Sequence, residues 1–409
     1  MSNQKQTTEI GTAGLSFVPG FSFSALGVGR DDRPNLGLIF SEHKETHGAA
    51  VFTTNEVKAA PVAVSQRHLK ASDRKRAVII NAGVANAYTG PEGMKDAETC
   101  VAELACRLEV PEVEIFVAST GVIGRRFDVQ AMTAAYPRLI EMRSASAGHD
   151  FARAILTTDT RTKERCVAFE LNGHTIHLAA CAKGAGMIMP NMATMLSCAI
   201  TDAAIAPRAL RSALSSAAAR SFNCITIDGD TSTNDSVFLL ANGAAGNPVI
   251  DLDQRSAYAA FEAHLTALME ACAIDIVRDG EGATKLITVR IEHATTVLAA
   301  NAVAFSIANS PLVKTAFFGQ DLNWGRLAMA VGKARTGMDP ERLDVSVNGV
   351  RIATDGRVAD DVTLASAQET LKQAEIDLLL DFKQGSSSTR IWTCDLSYDY
   401  VKINADYTT

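Results

Sequence analysis

The chain has 409 residues, 47% of them hydrophobic and 21% charged; 39 basic and 46 acidic residues give a net charge of −7. That balance suits a soluble chain of roughly two to three domains with large buried cores, and it excludes intrinsic disorder. There is no long basic run to bind nucleic acid, no apolar stretch near the ~20 residues of a membrane span, and no apolar signal core in the polar start MSNQKQTTEI. The expected address is therefore the cytoplasm, with neither nucleic acid nor membrane as a partner.

Taken in chain order, residues 49–54, 77–80 and 114–118 read as short buried strands bounded by turn residues. Residues 165–171 and 174–180 flank Asn172-Gly173, a strong two-residue hairpin signal. Residues 194–200 read as a further strand. Residues 207–222 form a helix with Pro207 in its first turn, where the missing N–H costs little, and with Leu210, Leu214, Ala217 and Ala218 on one stripe. Ala206 precedes it, where a serine would cap better. Residues 223–227 and 236–240 are read as strands bracketing the polar loop DGDTSTND, and 256–273 as a helix. Asp279-Gly280-Glu281-Gly282 interrupts the pattern and marks a boundary. A second Asn-Gly turn, Asn348-Gly349, joins strands 344–347 and 350–354, and 364–376 reads as a last helix. Hairpins mixed with helices indicate an α/β chain that is not all parallel.

The eight cysteines, at positions 100, 106, 166, 181, 198, 224, 272 and 394, form no CxxC pair and read as small buried hydrophobes. His174 and His177 are three apart on a strand, which points them to opposite faces. Neither set makes a metal site, so no metal is expected.

The segment KGAGMIMPNMATML, from Lys183 to Leu196, is the most informative. Its glycines expose backbone, and Pro190-Asn191 is a turn signal. It lacks the order of a phosphate-binding loop. One reading is a plain loop joining two strands, with Thr194 an ordinary strand residue. The other is self-cleavage between Ala193 and Thr194. A threonine hydroxyl is a weak nucleophile that needs a base. A break at that bond gives Thr194 a free α-amino group, whose reference pKa is about 8, so one residue supplies both nucleophile and base.

This segment resembles the cleavage signature of the ornithine acetyltransferases, the glutamate N-acetyltransferases of arginine biosynthesis. Six further blocks follow the family in order: ASTGVIG at 118–124, LTTDT at 156–160, SFNCITIDGDTSTND at 221–235, DGEGATK at 279–285, IANSPLVKTAFFGQDLNWGR at 307–326 and DYVKINADYTT at 399–409. Together they span nearly the whole chain. Met189, before Pro190, occupies a variable place in the motif.

The resemblance implies a four-layer α/β/β/α sandwich over 1–283 that contains the cleavage site. It implies a smaller α/β domain over 284–398, a tail over 399–409 that returns to the site, and processed chains 1–193 and 194–409. It implies two half-reactions: Thr194 takes the acetyl group from N-acetylornithine, and glutamate's amino group then takes it from the acetyl-enzyme. Thr120 and the Gly121 N–H are the implied oxyanion donors. Thr157, Lys183, Thr194, Glu281, Asn404 and Thr409 are the implied substrate contacts, with Lys183 meeting a carboxylate and Glu281 an ammonium. No cofactor is implied, while acetyl-CoA stays open as a co-substrate. The expected assembly is two α and two β chains. Loss of residues 406–409 is expected to harm substrate binding more than folding.

Asp159, Asp228, Asp230 and Asp235 receive no catalytic role in this reading; they are expected to hold loop geometry. Three alternatives remain at this level: a related N-terminal-nucleophile aminopeptidase or amidohydrolase that passes the acyl group to water, an acetyltransferase of secondary metabolism, and a non-catalytic relative.

Overall fold

In a computed structural model of the protein, the residues described are 10–29, 33–189 and 195–406. Ala193, Thr194 and Thr409 lie outside them. In chain order the first elements are β1 (Phe21–Leu26), β2 (Leu36–Ser41), β3 (His47–Phe52), α1 (Ala60–Ala71), β4 (Ala77–Val84), α2 (Gly90–Leu108), β5 (Ile115–Val122), α3 (Val129–Glu141) and α4 (Gly148–Ala154). They are followed by β6 (Lys163–Leu171), β7 (His174–Lys183), β8 (Leu196–Thr201), α5 (Pro207–Arg220), β9 (Ser236–Ala241) and α6 (Arg255–Arg278). The last part holds β10 (Leu286–Ala294), α7 (Val297–Ala308), α8 (Pro311–Phe318), α9 (Trp324–Lys333), β11 (Asp344–Val347), β12 (Val350–Thr354), β13 (Arg357–Val358), α10 (Asp361–Thr370), β14 (Glu375–Asp381), β15 (Ser387–Cys394) and α11 (Tyr398–Asp406).

Two sheets face each other. One has the order β1-β2-β4-β5 and the other β3-β9-β8-β7-β6. Phe23, Ile39, Ile80 and Phe116 of the first pack against Ala179, Cys198, Ile200 and Phe238 of the second. The Phe116 and Phe238 rings stack with centroids 4.7 Å apart. Large rings on one side meet Ala and Cys on the other, which lets the layers interdigitate. The outer face of the first sheet is covered by α1, α2 and α3 through Val64, Leu104 and Tyr136. The outer face of the second is covered by α5 and α6 through Leu210, Leu214, Leu265 and Met269. The four layers are α/β/β/α, as the resemblance implied. Strands β8 and β9 are buried at every residue, which explains their unbroken apolar runs.

A third sheet, β13-β12-β11-β14-β10-β15, occupies the C-terminal part with α7, α9 and α10 against it. Both Asn-Gly hairpins form. Asn172 and Gly173 take φ of 52° and 81°, and Asn348 and Gly349 take 47° and 80°, the left-handed pair that a tight hairpin turn needs. Helix α5 begins at Pro207 with no side-chain cap on Ala206.

Two expected elements differ. Residues 223–227 are not a strand: Phe222–Cys224 is a 3-10 turn, and only an isolated bridge from Ile225 to Trp392 follows. The β-like residues there serve as a buried plug between sheets. The expected helix 364–376 stops at Thr370, and Glu375 opens β14. Alternate residues Ile376, Leu378 and Leu380 are buried, a period of two that a helical reading of the preceding run overlooked.

Candidate active site

Strand ends meet at one place. β5 ends just beyond Thr120 and Gly121, β7 ends at Lys183, β8 begins at Leu196 and β9 at Ser236. A cavity of about 220 Å³ opens there, lined by Thr120, Gly121, Thr157, Lys183, Glu281 and Asn404, together with Asp228, Asp230, Asp235 and Tyr400. Met187 and Ile188 line it from one side of the expected cleavage segment, and Met195 and Leu196 from the other. Thus every described residue that the sequence nominated contributes to one wall or another.

Lys183 is buried at 8% exposure, not a solvated loop lysine. Its Nζ donates to Thr157 Oγ1 at 2.7 Å and to Thr120 Oγ1 at 3.2 Å, and lies 3.9 Å from Asp159 Oδ2. Burial draws its pKa below the usual lysine range; Asp159 opposes that shift and Lys163 adds to it. Its ion-pair partner Asp159 is shared with Lys163, so a buried ammonium so placed can also receive an incoming carboxylate.

Asp159 organises this corner. It accepts the N–H of Gly184 at 2.6 Å and of Thr157 at 3.2 Å, and it pairs with the fully buried Lys163. Lys163 also donates to Asp279 at 2.5 Å, and Asp279 accepts the Thr160 N–H at 3.0 Å. Burial alone would raise the Asp159 pKa, but Lys183, Lys163 and the Gly184 N–H hold it below the usual range. Asp228 does the same for the glycine loop, accepting Met187 N at 2.6 Å and Ile188 N at 2.8 Å. Both carboxylates hold backbone geometry.

Glu281 lines the same cavity as Lys183. Its N–H donates to Ala185 O at 2.8 Å, and its Oε2 accepts from Asn404 Nδ2 at 2.8 Å. Gly186 leaves room for the Glu281 carboxylate, because a Cβ on it would sit 2.4 Å from Glu281 Oε2 and displace it. Gly282 lies beneath α11: a Cβ would come 2.5 Å from Tyr400 N. These two glycines let the C-terminal helix and the loop close on the cavity.

Gly121 has φ 125°, and a Cβ there would strike the Gly83 carbonyl carbon at 2.3 Å. The close approach follows from the parallel register of β4 and β5, which sets Thr120 beside Ala82 and Gly121 beside Gly83. Asn234 braces the same strand end, donating to Ser119 O at 2.8 Å and Ala85 O at 2.7 Å.

Sequence reasoning passed over Asn234, Asp235, Lys163 and Tyr400 as site residues. Asn234, Asp235 and Tyr400 stand inside blocks that carry the resemblance and Lys163 follows one closely, and polar density in DGDTSTND was the available signal. The pairing of Lys163 with Asp159 is an i,i+4 spacing across a bent loop that leads into β6, which no helical rule anticipates.

A sequence profile of the ArgJ family matches residues 21–409. The arginine biosynthesis bifunctional protein ArgJ of Desulfotalea psychrophila is 44% identical over 392 residues, 95% of this chain and 99% of its own. Its namesake from Bacillus subtilis is 41% identical over 399 residues, 97% of each chain. A crystal structure of the arginine biosynthesis bifunctional protein argJ from Bacillus halodurans is 38% identical and covers 50% of this chain and 96% of its own, with a TM-score of 0.48. On the profile and the full-length sequence matches, the chain belongs to the ArgJ family.

Proposed function

We propose that this chain is the acetyltransferase of arginine biosynthesis that moves an acetyl group from N2-acetylornithine to glutamate. The observation that carries the proposal is one cavity lined by both a buried ammonium, Lys183, and a buried carboxylate, Glu281. That polarity suits a ligand bearing both a carboxylate and an ammonium, which both amino acids are.

In this reading the chain cuts itself between Ala193 and Thr194, and the new α-amino group activates the Thr194 hydroxyl. The hydroxyl attacks the acetyl carbonyl, and Thr120 with the Gly121 N–H receives the developing oxyanion; such donors are usually worth about 10²–10³ in rate. Ornithine leaves, glutamate enters, and its amine attacks the acetyl-Thr194 ester. Lys183 and Thr157 hold the α-carboxylate, Glu281 and Asn404 the ammonium, and Thr409 adds to the tail's contact.

The cut chains stay together because β7, before the cut, pairs with β8, after it, from Leu178↔Thr201 to Lys183↔Leu196. Transfer is tested by supplying acetyl-labelled acetylornithine with glutamate. Label should appear in N-acetylglutamate and disappear in Thr194→Ala. Release of free acetate at the same rate without glutamate would instead identify a hydrolase.

A further inference from the structure

The cavity holds a buried carboxyl that the roles above leave unused. Asp235 stands directly before β9, is 3% exposed and lines the cavity with Thr120, Gly121 and Lys183. Its backbone is pinned, since Asp235 O accepts Thr53 N at 3.0 Å and Ser236 N donates to Met195 O at 3.0 Å. Asp235 is therefore level with Met195, the residue after Thr194 in the chain. Its Oδ2 has no hydrogen-bond partner among the described residues. A buried oxygen left unpaired is costly, and in a polar cavity that is where a ligand's polar group belongs.

The charged and titratable groups sharing the cavity are Lys183 from β7, Glu281 from the loop after α6, Asp228 and Asp230 from the loop before β9, and Tyr400 from α11. Asp159 lies behind Lys183. Asp228 is committed to two N–H groups and Glu281 to Asn404. Burial pushes the Asp235 carboxyl well above the usual range, against the pull of Ser232 and Lys183, a direction that favours its protonated form.

We propose that Asp235 is the proton carrier for the exchanged amine, a proposal that rests on the assignment of Thr194 as the nucleophile. In the first half-reaction the tetrahedral adduct breaks its C–N bond, and the departing nitrogen takes the proton from Asp235 Oδ2. Ornithine leaves as the amine, and Asp235 is left as carboxylate. Glutamate arrives as an ammonium and loses one proton to water, which the released ornithine amine takes up in turn. The free glutamate amine then attacks the acetyl ester and passes its second proton to the Asp235 carboxylate, while Thr194 Oγ leaves with the proton held by its own α-amino group. Asp235 and Thr194 both end as they began.

The test compares two acetyl donors in Asp235→Asn. Acetylornithine has an amine leaving group that needs a proton; 4-nitrophenyl acetate has a phenolate that does not. General acid catalysis of this kind is worth about 10²–10⁴ in rate. Acetylation of the chain beginning at Thr194, followed by intact mass, should slow about 100-fold with acetylornithine and under about threefold with the ester. Equal losses with both donors, or none with either, would overturn the proposal. If the unmodified protein gives no adduct on Thr194 from either donor, the nucleophile assignment fails and this proposal with it; an adduct with equal losses overturns this proposal alone.

Should Asp235→Asn lose its fold or remain uncut, the unmodified protein decides. Its rate with acetylornithine should fall at alkaline pH through a limb absent from the ester's profile. Superimposable profiles would contradict the proposal.

Discussion

Asn404, near the end of α11, donates its Nδ2 to Glu281 Oε2 at 2.8 Å. That contact ties the last helix to a loop 123 positions earlier in the chain. None of the α11 residues is buried, so the helix contributes little to a core and much to the cavity wall. A hydrogen bond to a charged group is worth about 1.5–3 kcal/mol. Asn404→Ala should therefore raise KM for acetylornithine on the order of tenfold, with a nearly unchanged melting temperature. Removal of residues 406–409 should act in the same direction. A large drop in melting temperature with unchanged KM would show that the tail serves the fold instead.

Lys183→Met tests binding and stability together. The lysine is buried and is one of the two lysines that compensate the buried Asp159 carboxylate, and removing one partner of a buried ion pair is destabilising. The melting temperature should fall. Loss of the ammonium should raise KM for both amino acids by on the order of 30-fold or more, the effect of removing one partner of a buried charge pair. Thermal shift and steady-state kinetics on one preparation check both halves; unaltered KM would remove Lys183 from the substrate site.

Asp159 sets an acid limit to stability. Its carboxyl is held below the usual range in the fold, with burial outweighed by Lys183, Lys163 and the Gly184 N–H. The unfolded chain thus binds its proton more readily, and this stabilisation is present above the unfolded pKa of about 3.9 and is lost as pH falls through the folded value. Denaturant melts should show stability falling below about pH 4, and the part due to this group should be missing in Asp159→Asn. Parallel acid profiles for the two proteins would contradict the assignment.

Gly186→Ala tests the packing of the cavity floor. The added Cβ would lie 2.4 Å from Glu281 Oε2, so Glu281 must move or the loop must give. Misplacement by about 1 Å near a reacting group can cost on the order of 10²-fold in rate. The expected outcome is a folded protein with kcat/KM reduced by that order. Full activity would mean that Glu281 is not held where the substrate needs it.

The layers of the fold were legible because their signals are local. Asn172-Gly173 and Asn348-Gly349 announce hairpins, and Pro207 with the Leu210–Leu214 stripe announces a helix. The plug at 222–227 was not legible, since buried β-like residues look alike whether or not a neighbouring strand exists. Around the cavity, Lys183, Glu281 and Asn404 were legible only through the resemblance; their spacing in the chain carries no geometry. Asp235 stayed hidden because its distinguishing property, a buried oxygen without a partner, arises only when β8 and β9 pair.

The central claim is that one chain becomes two and that the second begins with the nucleophile. Intact-mass spectrometry of the purified protein, before and after brief exposure to acetylornithine, addresses it directly. The account predicts chains 1–193 and 194–409, with a transient acetyl group on Thr194 that glutamate removes. A single uncut chain that still transfers acetyl groups would contradict it.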